Sequence, residues 1–287
     1  MKKNSTINEH TEKMNEIIYY IHNNLSSKLL VKDLAQICSY SEVHFQRIFK
    51  EFTNKSVANY IKELRLQCAA NLLIFNPNST ITTIAYNCGF KSSSTFSIEF
   101  KKYFNMTPKQ WRKDKYIILK NSNLKSTNGI DFSTIEIKNI NKIKVAYMRH
   151  SGYNQTIKEI WERFLYLIKK DYNISSPEMI AFLHNNPDIT NIEECRYVVC
   201  ANITDKEIEA KGDIGVCDIS SGLYATVRYQ GEYNDILYLY KKLYYEWLPN
   251  SRYEALSSSA YIVHYKNHFL EKDGKFDIEF RMPISYT

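Results

Sequence analysis

Apolar positions recur every three or four residues through the first 120 residues and every second residue in many later segments. That change of period predicts a helical half followed by a half that mixes strands with helices. Met14, Ile17, Ile18, Ile21 and Leu25 line one face of a lead helix over residues 12–25. Val31 to Cys38 forms a short helix, Ser39-Tyr40-Ser41 a turn, and Glu42 to Phe52 a second helix with Phe45, Ile48, Phe49 and Phe52 on one face. Ser41 stands where a side-chain oxygen can accept from the free backbone N–H groups that open that helix. Val57 to Ile74 runs without Gly or Pro to a stop before Pro77, and its roughly 18 residues span about 27 Å as one helix.

The pattern then repeats. Ile84 to Phe90 lies over Leu34 to Tyr40 at an offset of 50, and after the turn the offset becomes 51, so that Phe45, Phe49 and Phe52 correspond to Phe96, Phe100 and Tyr103. Two units of helix, turn and helix thus flank one long helix, which can hold them near the roughly 34 Å that separates successive major-groove faces. Gly89 suits the positive φ of such a turn. Ser39 at the equivalent place is costlier, and its turn is expected to be slightly reshaped.

Asn121 to Gly129 is polar, small and aperiodic, which marks a linker between a domain over 1–120 and a second over 130–287. In the second, Ile135 to Ile137, Ile143 to Met148, Arg196 to Ile203, Ala260 to Tyr265 and Asp277 to Met282 read as strands. Thr156 to Lys169 and Ile236 to Trp247 are helices with one apolar face. Leu223 to Asn234 matches the strand, turn and helix start ending at Asn154 at an offset of 80. The expected architecture is an all-α tandem helix-turn-helix domain followed by an α+β domain, with a pseudo-duplicated antiparallel sheet and helices on one side.

Composition narrows the function. With 44% apolar residues, 8 Gly and 6 Pro in 287 residues, the chain is expected to fold throughout. No run approaches the roughly 20 apolar residues of a membrane span, and Met1-Lys2-Lys3-Asn4-Ser5 leads into polar sequence, so a cytoplasmic protein without a membrane partner is expected. Six Cys without a CxxC pair read as reduced packing thiols, with no disulfide, metal or cofactor. The net charge of +7 is uneven: residues 1–120 carry 18 Lys+Arg against 9 Asp+Glu, residues 121–287 carry 20 against 22. A basic module meeting a polyanion is therefore joined to a near-neutral module with another task.

Ala85 to Arg112, AYNCGFKSSSTFSIEFKKYFNMTPKQWR, resembles the signature of AraC/XylS-family transcriptional regulators, A-x-x-x-G-F-x-S-x-x-x-F-x-x-x-F-K-x-x-x-G-x-T-P-x-x-[WY]-R. Asn105 replaces the usual Gly and is the residue that best tolerates the left-handed conformation in its stead. The resemblance implies double-stranded DNA as partner, with Val43, Gln46 and Arg47 facing bases from the first recognition helix and Ser94, Thr95 and Ile98 from the second. Arg pairs with guanine O6 and N7 and Gln with adenine, whereas Ile98 offers at most an apolar contact to a thymine methyl, so the second helix is expected to position more than read. Lys50, Lys62, Arg65, Lys91, Lys101, Lys102, Lys109 and Arg112 are candidate phosphate contacts. Phe45, Phe49, Phe90, Phe96, Phe100 and Trp111 are expected in the core.

The second half resembles the GyrI-like effector-binding domain through Val145 to Tyr153, Trp161, Asn186-Pro187, Cys195-Arg196-Tyr197, Gly222 to Ala225, Gly231-Glu232-Tyr233 and Trp247 to Ser251. A reader placed before such a domain is the order of Rob-like regulators. The family implies a cleft for amphipathic, often cationic compounds, whose aromatic wall would here draw on Tyr147, Trp161, Phe182, Tyr224, Tyr229 and Tyr261. Many relatives place a Glu two residues before a Tyr-x-Asn motif; Tyr265-Lys266-Asn267 puts Val263 there. The effector is accordingly expected to be neutral, or to use Glu232 or Glu279. Neither a GxSxG elbow nor a Walker or dinucleotide glycine pattern is present, and His264 and His268 fall on a strand and its exit. Three readings follow. The first is a non-enzymatic regulator, expected to be an activator working with RNA polymerase, for which a monomer suffices and a dimer stays open. The second is a regulator whose second domain contacts protein only, and the third a DNA-tethered hydrolase of small electrophiles.

Overall fold

The computed structural model describes the backbone of residues 2–120, 129–153, 156–186, 189–232 and 235–287, with side chains for the same residues except 2–8 and 115–120. Residues 121–128 of the predicted linker over 121–129, and Asn154, Pro187, Tyr233 and Asn234 of the motifs above, lie outside the described residues. The first half is helical: α1 (Lys2–Asn23), α2 (Val31–Ile37), α3 (Glu42–Thr53), α4 (Val57–Phe75), α5 (Ile81–Asn87), α6 (Ser93–Phe104) and α7 (Pro108–Lys120).

The sequence repeat is a structural one. Both recognition helices open on a serine cap, Ser41 accepting from the His44 N–H at 3.3 Å and Ser92 from the Thr95 N–H at 3.2 Å. Both close on a left-handed asparagine, Asn54 at φ 57° and Asn105 at φ 56°. The turn at Ser39 is not reshaped: Ser39 itself takes φ 57°, in the same left-handed region as Gly89 at φ 83°. Gly89 has a second reason to lack a side chain, because a Cβ there would run into the Leu25 carbonyl and the Arg65 guanidinium.

Among the described residues the second half is one nine-stranded antiparallel sheet in the order β1-β6-β9-β8-β3-β4-β2-β5, with β7 paired to β9. The strands are β1 (Glu136–Ile140), β2 (Ile143–Ser151), β3 (Met179–Leu183), β4 (Arg196–Asn202), β5 (Gly215–Ile219), β6 (Gly222–Glu232), β7 (Tyr253–Ala255), β8 (Tyr261–Lys266) and β9 (Lys275–Tyr286). Strands β3, β5 and the short β7 escape pattern reading. Met179-Ile180-Ala181-Phe182-Leu183 is apolar at every position because β3 lies mid-sheet and is covered on both faces, so no alternation marks it.

Helices α8 (Ile157–Tyr172) and α9 (Asp235–Lys242), the latter continued by a π-helical turn over Leu243–Trp247, cover one face of the sheet. Under α8 lie Ala146, Met148, Tyr197 and Val199; under α9 lie Ala225, Val227, Ile278 and Phe280. The opposite face carries Val145, Tyr147, Val198, Cys200, Tyr224, Tyr261 and Val263, the alternate positions of the same strands. That face is turned toward the helical half. The core of the second helix-turn-helix unit is continuous with the apolar residues under α9, whereas the first unit keeps a core of its own around Met14, Ile17, Phe45 and Phe49.

Candidate functional site

Two surfaces carry chemistry. On the first, Val43 is 81% exposed and Ile98 67% exposed, while Phe45, Ile48, Phe49, Phe96 and Phe100 are buried on the opposite sides of α3 and α6. By the offset of 51, Val43 corresponds to Ser94 and Ile98 to Arg47, so each helix presents one exposed apolar side chain among polar ones on its outward face. Gln46, Arg47, Ser94 and Thr95 are exposed beside them. Arg47 is held loosely, 3.5 Å from Glu51 and 3.2 Å from His44 Nδ1, so its guanidinium can be redirected cheaply.

The expected phosphate contacts divide. Lys50, Lys91, Lys101, Lys102 and Lys109 are exposed. Lys62 pairs with Glu99 at 3.1 Å and ties α4 to α6. Arg65 and Arg112 require correction, because both are spent on backbone carbonyls. Arg65 donates to Leu25 O at 2.9 Å and Ser27 O at 2.7 Å; Arg112 donates to Leu73 O at 3.2 Å and Ser79 O at 2.7 Å. Each clamps the helix after its unit to the chain that enters it, the same device in both repeats.

The second surface is a cavity of about 460 Å³ between the open face of the sheet and helices α1, α3 and α4. Of the expected wall residues, Tyr147, Phe182 and Tyr224 line it, and Tyr261 and Val263 lie in the apolar layer beside them. Tyr147 crosses β5 at Gly215, where any side chain would collide with its ring. Trp161 and Tyr229 are on the other face. Trp161 belongs to the stripe of α8 and donates to Tyr197 Oη at 3.2 Å; Tyr229 is an odd number of residues from Tyr224 and so packs on Phe276 under α9. Glu232 is exposed at the end of β6. Glu279 does face the cleft side, but Arg281 and Lys138 already neutralise it. Among the described residues no cluster of three or more His, Cys, Asp or Glu is arranged to hold a metal, and no helix is long and apolar enough to cross a membrane.

A family model described as a GyrI-like small molecule binding domain matches residues 133–285, and one described as a helix-turn-helix domain matches residues 34–114. This chain belongs to the GyrI-like family and carries an AraC-type reader. It is 36% identical over 106 residues to the Transposon Tn10 TetD protein of Escherichia coli, an alignment covering 37% of this chain and 76% of that protein. It is 37% identical over 99 residues to the HTH-type transcriptional regulator YobQ of Bacillus subtilis, covering 34% of this chain and 41% of YobQ. Among solved structures, an AraC-type transcriptional regulator from Chromobacterium violaceum matches at 31% identity and a TM-score of 0.33, over 35% of this chain and 88% of that one.

The polar groups of the GyrI-like cavity were not singled out by sequence reasoning. Arg149 on β2 donates to Asn15 Oδ1 at 2.8 Å, to Asn15 O at 2.9 Å and to Tyr147 Oη at 3.3 Å. Arg196 on β4 donates to Asn185 Oδ1 at 2.9 Å and Gln67 Oε1 at 3.2 Å, and its third contact is His22 Nε2 at 3.2 Å. His22 and His184, with ring centroids 5.0 Å apart, are held neutral: burial, and then the positive charge of Arg196, depress both below the ordinary imidazole value, His184 to about 3. The signal was available as period two, since Arg149 shares its strand face with Val145 and Tyr147, and Arg196 with Val198 and Cys200.

Proposed function

We propose that this chain is a sequence-specific transcription regulator that reads two successive major-groove faces as a monomer. Its GyrI-like domain senses a small molecule, and it acts as an activator beside RNA polymerase. The observation that carries the DNA reading is the matched pair of outward faces on α3 and α6, both built on the continuous helix α4, with Arg47 and Gln46 free to meet base edges. Sensing is supported by the cavity, whose about 460 Å³ falls within the range of small-molecule sites and whose walls combine aromatic rings with polar side chains. A binding site selected from random duplex DNA by the full-length protein tests the first part. On that site Arg47→Ala is expected to cost about 1 to 3 kcal/mol, with little change on random DNA. Equal loss on both would remove base reading by Arg47.

A further inference from the structure

We infer that the effector is an anion: an aromatic or amphipathic carboxylate whose headgroup sits between the guanidinium groups of Arg149 and Arg196. The inference rests on the sensing reading above and specifies its chemistry.

Both arginines point into the cavity, and all six of their hydrogen-bond partners are neutral: an amide oxygen, a backbone carbonyl and a phenol for Arg149, two amide oxygens and an imidazole nitrogen for Arg196. Among the described residues neither forms an ion pair. Two cations partly withdrawn from water without a counter-charge are costly to keep, and a carboxylate accepting from a guanidinium fork makes bonds roughly twice as strong as neutral ones. The charges that could have served a cationic ligand are absent or used. Val263 replaces the acidic side chain, Glu279 is neutralised by Arg281 and Lys138, and Asp218 at the rim pairs with Lys142 at 2.8 Å. Tyr19, Phe52, Tyr147, Phe182 and Tyr224 supply apolar faces for the body of the molecule.

The present partners of the two arginines explain how such a ligand would be felt by the reader. Asn15 lies on α1 and Gln67 on α4, so the reader itself fills part of the anion's place with neutral oxygens. A carboxylate that takes these donors displaces Asn15 and Gln67, and its binding is thermodynamically coupled to release of the reader from the sheet.

The test uses the full-length protein and three probes with one ring system and different heads: naphthoate, naphthylmethanol and naphthylmethylammonium, each titrated by calorimetry. Naphthoate is expected to bind at least about tenfold tighter than the other two, and Arg149→Gln and Arg196→Gln each to lose about tenfold of that affinity. Asn15→Ala and Gln67→Ala, which keep both guanidinium groups and each remove one competing side-chain oxygen while the Asn15 backbone carbonyl stays, are expected to bind naphthoate more tightly than the unmodified chain. A role confined to holding the fold would give the opposite sign, so unchanged or weaker binding in these variants overturns the proposal even if the arginine variants do not fold. If the alcohol or the cation binds as well as naphthoate, the anion assignment fails while sensing stands; if none binds, both fail.

Discussion

The helical half meets the sheet along two seams of opposite character. At one, the C-terminal end of α4 is dry: Phe75 lies 4.1 Å, centroid to centroid, from Tyr244 and joins a core that runs from Trp111 to Phe280. Asn76 imitates a strand there, donating to Ala255 O and accepting from Ala255 N, both at 2.9 Å. At the other, α1 meets β2 and β5 through polar groups: Asn15 with Arg149, Tyr19 with the backbone of Asp218, Glu12 with the Gly212 N–H, and His22 with Arg196. Separating the dry seam exposes apolar surface, which nothing in water compensates. Separating the polar seam trades hydrogen bonds for water or for a ligand, at a net cost of about 1 kcal/mol per bond. The second helix-turn-helix unit is therefore fastened to the sheet, and the first is the unit whose attachment can be exchanged.

The largest expected effect breaks the dry seam. Phe75 is 4% exposed, and Phe75→Ala leaves a cavity between α4 and the π-helical turn over Leu243–Trp247. A loss of about 3 to 5 kcal/mol is expected in urea unfolding of the full chain. A loss below about 1 kcal/mol would mean that the site collapses around the cavity, and that the two seams do not differ in the way described.

The contrast between seams also explains what the sequence made legible. The repeat, the cap at Ser41 and the left-handed Asn105 follow from local rules, since each depends on residues within one turn of the chain. Tyr147 and Tyr224 reach the cavity because both lie on one register of their strands. Arg65 and Arg112 were misread because a basic residue on a helix looks the same whether it faces a phosphate or a backbone carbonyl of a preceding turn or helix some forty residues away. The cavity's third wall was invisible for a similar reason. Tyr19 and His22 belong to a helix stripe whose partner lies far along the chain, and no periodicity within α1 indicates what covers it.

A smaller effect sharpens the polar side. The Tyr19 hydroxyl donates to Asp218 O and accepts from Asp218 N at 3.0 Å, and burial pushes its pKa up to about 12. Tyr19→Phe removes both bonds while keeping the ring against Tyr147. About 1 to 2 kcal/mol should be lost. Hydrogen exchange of the amides of α1 should rise while exchange in α9 stays as it was; equal increases in both would show that the seams open as one.

The smallest effect is acid weakening of the polar seam. His22 and His184 are neutral in the folded protein, between Arg149 and Arg196 and against Tyr60 and Ser259. Their folded pKa values lie below the unfolded value of 6.5, that of His184 at about 3, so between these values the unfolded chain binds more protons. Their contribution is complete above about pH 6.5 and is lost progressively as the pH falls below it. His264 and His268, depressed to about 3 and about 4 chiefly by burial near Trp161 and Phe276, add a similar slope from the other side of the sheet. The seam is isolated by difference, using a His22→Gln, His184→Gln double variant. Since the cavity admits solvent, the unmodified chain should lose only about 1 kcal/mol more than this variant between about pH 7.5 and about pH 5.5. Parallel pH profiles would place the acid sensitivity under α8 and leave the polar seam indifferent to protons.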